Sequence, residues 1–305
     1  MSITIKKISV PSSDGIHELK GVLYIPESEI KGIYHIVHGM TEHIGRYHRI
    51  MSDLAQLGYL TVGYDNLGHG YTARDKSELG YIADKRGWDL LASDVFLFAD
   101  TIKNEYGRDL PYYLMGHSMG SFIVRLTAEK YFVPNKLIIM GTGGPNPAAG
   151  AGLAVIGVIK AIYGKRHISG LVNKLAFGSY NKRFTDTSEK GSWLTTDLEV
   201  RKKYWADDFC TFKFTVSAMG DLIRLMKYSN RDAWFKKIPS SLPMLLLSGD
   251  EDPVSNYGQG IHFIADKLRK NGKRVEYVLY KGARHEILND FTYDEVKKDI
   301  IKFIK

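Results

Sequence analysis

Residues 114–120 read Leu-Met-Gly-His-Ser-Met-Gly, and the spacing Gly116-x-Ser118-x-Gly120 within them can make a serine nucleophilic. An apolar run, Pro111–Met115, precedes it, and a helix-like run, Ser121–Tyr131, follows. Strand, Gly-x-Ser-x-Gly and helix in that order describe a sharp turn that lifts the hydroxyl clear of the backbone. Glycines flank the serine because a Cβ at either place would crowd the neighbouring chain. The N–H of Met119, next after the serine, can hold a developing oxyanion. Attack also needs a base to take the hydroxyl proton and an acid to orient that base. His285 ends the loop after the alternating strand Arg274–Tyr280, and Asp250, Glu251 and Asp252 crowd the turn after the apolar strand Met244–Leu247. Both groups lie downstream of Ser118, just past strand ends, in the order serine, acid, histidine. The residues alone leave the acid open. Asp250 is close to the strand end, Glu251 is longer and by alternation points away, and Asp252 is held extended by Pro253.

Such groups need a frame to bring them together. Residues 2–10 and 17–26 read as opening strands joined by a turn at Ser12–Gly15. Residues 31–37 and 59–64 read as buried strands with a helix over 47–57 between them. A long helix over 87–106 follows, then the strand before Ser118, its helix, and a strand at 136–140. The pattern resumes at Pro243 and closes with a helix over 292–304. Alternating strands and helices predict a mostly parallel sheet covered on both faces, whose strand C-termini are where ligands gather. The stretch between 140 and 243 breaks the rhythm. It opens with Gly141–Pro147 and continues in 148–163, apolar on nearly every side yet too short to cross a bilayer. Gly150, Gly152 and Gly157 weaken a helix there. The segment reads either as a lid that lines an acyl tunnel and touches lipid, or as a buried helix packed on the core. The later aromatics, Phe177, Tyr180, Trp193, Tyr204, Trp205, Phe209, Phe212 and Phe214, either line a pocket or hold this stretch together.

Five segments carry a family resemblance: His38-Gly-Met-Thr-Glu-His-Ile-Gly-Arg-Tyr47, Asp65-Asn-Leu-Gly-His-Gly70, Gly116–Gly120, Ser248-Gly-Asp-Glu-Asp-Pro-Val254 and Gly282-Ala-Arg-His-Glu286. With them the chain resembles the monoacylglycerol lipase and lysophospholipase branch of the α/β-hydrolases, also described as serine aminopeptidase-like. The resemblance implies an α/β-hydrolase fold with a mostly parallel central sheet, helices on both faces and a helical cap insertion. The core would be 1–144 and 236–305, and the cap 145–235. It implies a triad of Ser118, His285 and Asp252, the last because the family's G-x-x-D pattern, begun at Gly249, lands there. It implies Met40 as the oxyanion donor that joins Met119. Glu42, His43 and Arg46 are implied as charged support for the loop of Met40, with Glu42 and Arg46 also candidates to meet the substrate's polar alcohol. Asp65 and His69 belong to a structural loop motif, His38 braces its loop, and His117 points away from the nucleophile. Ser121 is a departure, since the family often has a second glycine there. The implied activity is serine carboxylester hydrolysis of a single-chain lipid ester, monoacylglycerol or lysophospholipid. The alternatives are an aminopeptidase or amidase, an acyltransferase with the same triad, and a ligand-binding receptor on the same fold.

Composition fits an enzyme with a large core: 305 residues, 44% hydrophobic and 25% charged. A single cysteine, Cys210, excludes an internal disulfide and fits a reducing compartment. The opening residues alternate and lack a continuous apolar stretch, so they predict no signal peptide and a cytoplasmic location. There is no HExxH and no Cys/His cluster at zinc spacing, so neither a catalytic metal nor a cofactor is expected. The net charge of +8 is scattered in short clusters such as Lys165-Arg166-His167, which predicts a basic surface rather than a nucleic-acid partner. The expected partner is a small-molecule lipid ester, with transient membrane-surface contact through the cap. Oligomeric state is not legible.

Overall fold

The computed structural model describes residues 2–186 and 190–305. Eight strands form one sheet: β1 (Ile3–Pro11), β2 (Glu18–Pro26), β3 (Gly32–Val37), β4 (Tyr59–Tyr64), β5 (Tyr112–His117), β6 (Lys136–Met140), β7 (Met244–Gly249) and β8 (Val275–Tyr280). Their order is β1-β2-β4-β3-β5-β6-β7-β8. β1 pairs antiparallel with β2, and β2 with β4; every later pairing is parallel. The helices are α1 (His48–Gln56), α2 (Gly87–Tyr106), α3 (Met119–Lys130), α4 (Ala149–Tyr163), α5 (Gly170–Phe177), α6 (Leu198–Ala206), α7 (Val216–Ser229), α8 (Asp232–Lys237), α9 (Gln259–Lys270) and α10 (Tyr293–Ile304).

The central strands β3, β4, β5 and β7 are buried along their whole length because both of their faces are covered. Successive side chains point to opposite faces, and each face has its own core. On one, Ile33, Leu114, Ile139 and Leu246 meet Val95 and Phe98 of α2, Ile123 of α3 and Ile264 of α9. On the other, Tyr34, Met115, Ile138 and Leu245 meet Met51 and Leu54 of α1 and Val296 and Ile300 of α10. The fold is the α/β-hydrolase arrangement that the sequence predicts. The expected helix at 47–57 begins at His48, after a single 3₁₀ turn at Ile44–Tyr47.

Because β3 to β8 run in one direction, their C-termini share an edge, and the loops after β3, β5, β7 and β8 meet above it. Between β6 and β7 come α4 to α8. α7 lies against α3 and α2, and α8 against α3, with Trp234 and Phe235 fully buried. α4 rests on α7 and buries only Ala149 and Ile156. Val158 and Ile162 on α4 are 60% and 67% exposed, so this segment is not a helix buried in the core. No helix among the described residues is long and apolar enough to cross a membrane.

Candidate active site

Ser118 sits between β5 and α3 with φ 53° and ψ −119°, a conformation that L residues rarely adopt. Its N–H donates to the Met140 carbonyl at 2.9 Å, and its own carbonyl accepts from the N–H and hydroxyl of Ser121. Ser121, where the family often has glycine, is therefore turned into the elbow's own backbone. The flanking glycines are obligatory here. A Cβ on Gly116 would stand 2.2 Å from the Gly120 carbonyl oxygen, and one on Gly120 would stand 2.0 Å from that of Val37. The loop after β3 is pressed against the elbow, since a Cβ on Gly39 would lie 2.9 Å from that of Ser118. Met119 opens α3. Either side of Met40 the backbone is engaged: Gly39 N–H donates to Glu42 Oε1 at 2.5 Å, and Thr41 N–H to His69 Nε2 at 3.3 Å.

The acid that meets the histidine is Asp252. Its Oδ2 lies 2.9 Å from His285 Nδ1, and the two side chains are 0% and 2% exposed. Oδ2 also accepts from the Ser248 hydroxyl, and Oδ1 from the Val254 N–H at 2.8 Å. A carboxylate can only accept, so Nδ1 carries the proton and Nε2 is left with a lone pair for a reacting proton. Asp250 instead caps the neighbouring loop, accepting from Gly282 N–H at 2.7 Å. Gly141 after β6 lies beside the His285 ring; a Cβ there would be 3.1 Å from Cε1.

Behind these groups runs a buried charged network. Arg46 donates bidentately to Glu286, at 2.6 Å on each side, and to Glu42 Oε2 at 3.1 Å. Glu42 Oε1 also accepts from Tyr47 OH at 2.9 Å and faces His117 Nδ1 at 3.1 Å. His117 Nε2 faces the His285 carbonyl at 3.2 Å. Both partners of His117 are acceptors, so both of its nitrogens donate and the ring is an imidazolium. Burial alone would lower the pKa of His117, but the hydrogen bond and charge of Glu42 outweigh it and raise it. Burial pushes Glu42 up; His117 and Arg46 overcome it and hold the carboxyl well below its usual range. Glu42 and Arg46, expected near the substrate's alcohol, here turn these polar atoms to protein groups. His117 turns both ring nitrogens into this network.

His38 and His69 are braces. His38 Nδ1 donates to the Gly39 carbonyl while Nε2 accepts from Asn66 N–H at 2.9 Å. His69 does the same between the Leu67 carbonyl and Thr41 N–H, and burial lowers its pKa to about 3. Asp65 accepts from Ile44 N–H and Tyr71 N–H.

The inserted residues reach the site as well. The His285 N–H donates to the Trp193 carbonyl at 3.3 Å, and Glu286 N–H to that of Leu194 at 2.7 Å. The Trp193 ring lies 5.0 Å from the His285 ring and 5.0 Å from Tyr180. Arg284 donates to Asp186 and to the Ser192 carbonyl, tying the same loop down. Trp193, in the insertion, carries no motif of its own; Arg284 and Glu286 flank His285 in the Gly282–Glu286 segment, which is the sequence signal that could have found them.

A Gly-x-Ser-x-Gly turn and a carboxylate–histidine pair, both on the C-terminal edge of one parallel sheet, form the arrangement of an acyl-transfer hydrolase. The profile of the family described as serine aminopeptidase, S33, matches residues 28–292, and the chain belongs to that family. It is 31% identical to the monoglyceride lipase of Mus musculus over 265 residues, 85% of this chain and 77% of that one. It is 24% identical to the monoacylglycerol lipase of Mycolicibacterium smegmatis, over 97% of this chain and 98% of the other. A thermostable carboxyl esterase from Bacillus coagulans, solved in complex with glycerol, superposes with a TM-score of 0.93 at 30% identity, covering 99% of this chain and 98% of its own. The protein is a serine ester hydrolase.

Proposed function

We propose that the enzyme cleaves single-chain lipid esters, monoacylglycerols or lysophospholipids, through Ser118, His285 and Asp252. The observation that carries this reading is the 2.9 Å bond between His285 Nδ1 and Asp252 Oδ2 at the sheet edge that bears the elbow. His285 Nε2 takes the Ser118 proton as Oγ attacks the ester carbonyl. The oxyanion accepts from the N–H groups of Met40 and Met119. Collapse expels the alcohol, which takes the proton from His285, and an acyl-enzyme remains. Water, activated by His285, then attacks that ester, and the fatty acid leaves from Ser118. Asp252 fixes the tautomer and faces the imidazolium that forms. Glu42, Arg46 and His117 hold the loops of Met40 and His285 in register.

Residues 145–235 serve as the cap, over a core of 1–144 and 236–305. Its aromatics Phe177, Tyr180 and Trp193 lead from the surface to His285, a path suited to an acyl chain. The exposed apolar side chains of α4 and α5, among them Ile162, Leu171 and Leu175, fit transient contact with a lipid surface. The relatives named as monoglyceride lipases, and the esterase solved with glycerol, favour a glycerol head group. A panel of monoacylglycerols, lysophospholipids and aminoacyl p-nitroanilides tests this. Fatty acid release from the single-chain lipids at rates far above the anilides is expected. Anilide cleavage with no release from either lipid would sink the lipid reading in favour of the peptidase activity in the family's description.

A further inference from the structure

Three side chains that acyl transfer does not use converge where the loop after β3 meets the end of α6. His43 Nε2 lies 2.9 Å from Asp207 Oδ2. Cys210 joins them, and the three ligand atoms all lie within 4.8 Å of one another. Among the described residues no other group of three such side chains is gathered this way. His43 and Asp207 are partly exposed and give an approach from solvent, whereas Cys210 is 2% exposed.

An imidazole nitrogen, a carboxylate oxygen and a sulfur form a mixed donor set of the kind Zn²⁺ takes. Bonds of about 2.3 Å to sulfur and about 2.0–2.2 Å to nitrogen and oxygen, at tetrahedral angles, put ligand atoms about 3.4–3.6 Å apart. The His43–Asp207 contact would open by about half an ångström to reach that spacing, and Cys210 would close by about 1.2–1.4 Å at most, both within side-chain adjustment. Arg46 is near Cys210 and opposes a cation. Its charge, however, is already met by Glu286 and Glu42.

We propose that His43, Asp207 and Cys210 bind a divalent zinc-class ion, with water in the fourth position. His43 carries its proton on Nδ1 and gives the Nε2 lone pair. Asp207 gives one carboxylate oxygen. Cys210 releases its proton to solvent and binds as thiolate, with no change of oxidation state. Burial raises the pKa of this thiol and keeps it protonated until a metal displaces the proton. His43 belongs to the loop of Met40 and Thr41, whereas Asp207 and Cys210 belong to the insertion. The ion therefore pins one to the other, beside the bond that Tyr204 OH already donates to the Thr41 carbonyl at 2.9 Å. It acts as a reversible brake wherever the insertion must shift to admit an ester.

The test is titration of the reduced, full-length protein with Co²⁺, read by the near-ultraviolet thiolate-to-cobalt charge-transfer band and reversed by Zn²⁺. A single ion is expected. Cys210→Ala should lose the band. Asp207→Asn, which can keep a hydrogen bond to His43, should bind about 100-fold more weakly, at least the effect of losing an outer-shell partner. Zn²⁺ should raise the unfolding temperature of the wild type and not of Cys210→Ala. If that variant does not fold, His43→Gln carries the same readout. No thiolate band in folded wild type, or an equal Zn²⁺ effect in a ligand variant, overturns the proposal. Because binding is read without substrate, its failure leaves the ester-hydrolase reading untouched.

Discussion

At Ser118 the backbone is held at a positive φ by packing on both sides, and the hydroxyl is presented at the start of α3. Strain of this kind costs on the order of 1–3 kcal/mol and persists only where surroundings enforce it; here the close approaches of Gly116 and Gly120 do so. The neighbouring acids divide by role. Asp252→Asn should lower kcat by about 10³-fold or more, because an amide leaves His285 in the wrong tautomer. Asp250→Asn should cost far less, since its oxygen holds only the Gly282 N–H. Steady-state rates on one ester, with both variants shown to be folded, check the ranking, and the reverse order would move the acid to Asp250. A second residue-scale test concerns Arg46. Arg46→Met takes the guanidinium from buried Glu286 and leaves Glu42 to His117, Tyr47 and Gly39, and should destabilise the fold by about 3–5 kcal/mol. Urea denaturation measures this, and a loss below about 1 kcal/mol, the size of an exposed pair, would contradict a structural role for the network. The motif spacing made the sharp turn at Ser118 and the acid–histidine contact at His285 legible. Arg46 and Glu286 stand 240 positions apart, and no local pattern foretells a bidentate bond at that separation.

Among the elements, α4 departs from ordinary amphipathic design by being apolar on nearly every side. It rests on α7 through Ile156, yet turns Val155, Val158 and Ile162 outward. A stripe of this kind needs a covering surface. Replacing Val158 and Ile162 with serine should leave hydrolysis of a dissolved acetate ester near wild type. Activity on long-chain monoacylglycerol presented in vesicles should fall several-fold. Equal loss on both substrates would mean that α4 stabilises the insertion rather than meeting lipid. The sequence left α4 open between lid and buried helix because an all-round apolar segment has no polar face to orient it. The exposure of Val158 and Ile162 excludes the buried helix, which periodicity alone could not do. The strands were legible for the complementary reason: β3, β5, β6 and β7 are short apolar runs between turn residues, which is how a strand covered on both faces reads.

Across the whole molecule, six parallel strands place four loops on one edge, and the chain order serine, acid, histidine follows from the order in which β5, β7 and β8 are laid down. Stability has its own pH signature. Burial raises the pKa of Asp94, on α2, to about 6, even though Ser12 and Ser13 hydrogen-bond to it. A folded-state pKa above the unfolded value of 3.8 stabilises the fold fully below about pH 4, and that contribution is lost as pH rises through about 6. Asp94→Asn should therefore flatten the decline in stability between pH 4 and 7, an effect on the order of 2–3 kcal/mol. Urea midpoints at both pH values measure it, and unchanged slopes would contradict it. The central claim is that Ser118 is the nucleophile of an ester hydrolase. The most direct measurement is intact mass after a fluorophosphonate, with peptide mapping. Wild type should carry one phosphonyl adduct on the peptide containing Ser118 and lose its esterase activity in step. Ser118→Ala, equally folded, should carry none and be inactive, since loss of one member of such a triad removes several orders of magnitude in rate. Equal labelling of the two proteins, or an adduct on another serine that tracks the loss of activity, would contradict the account.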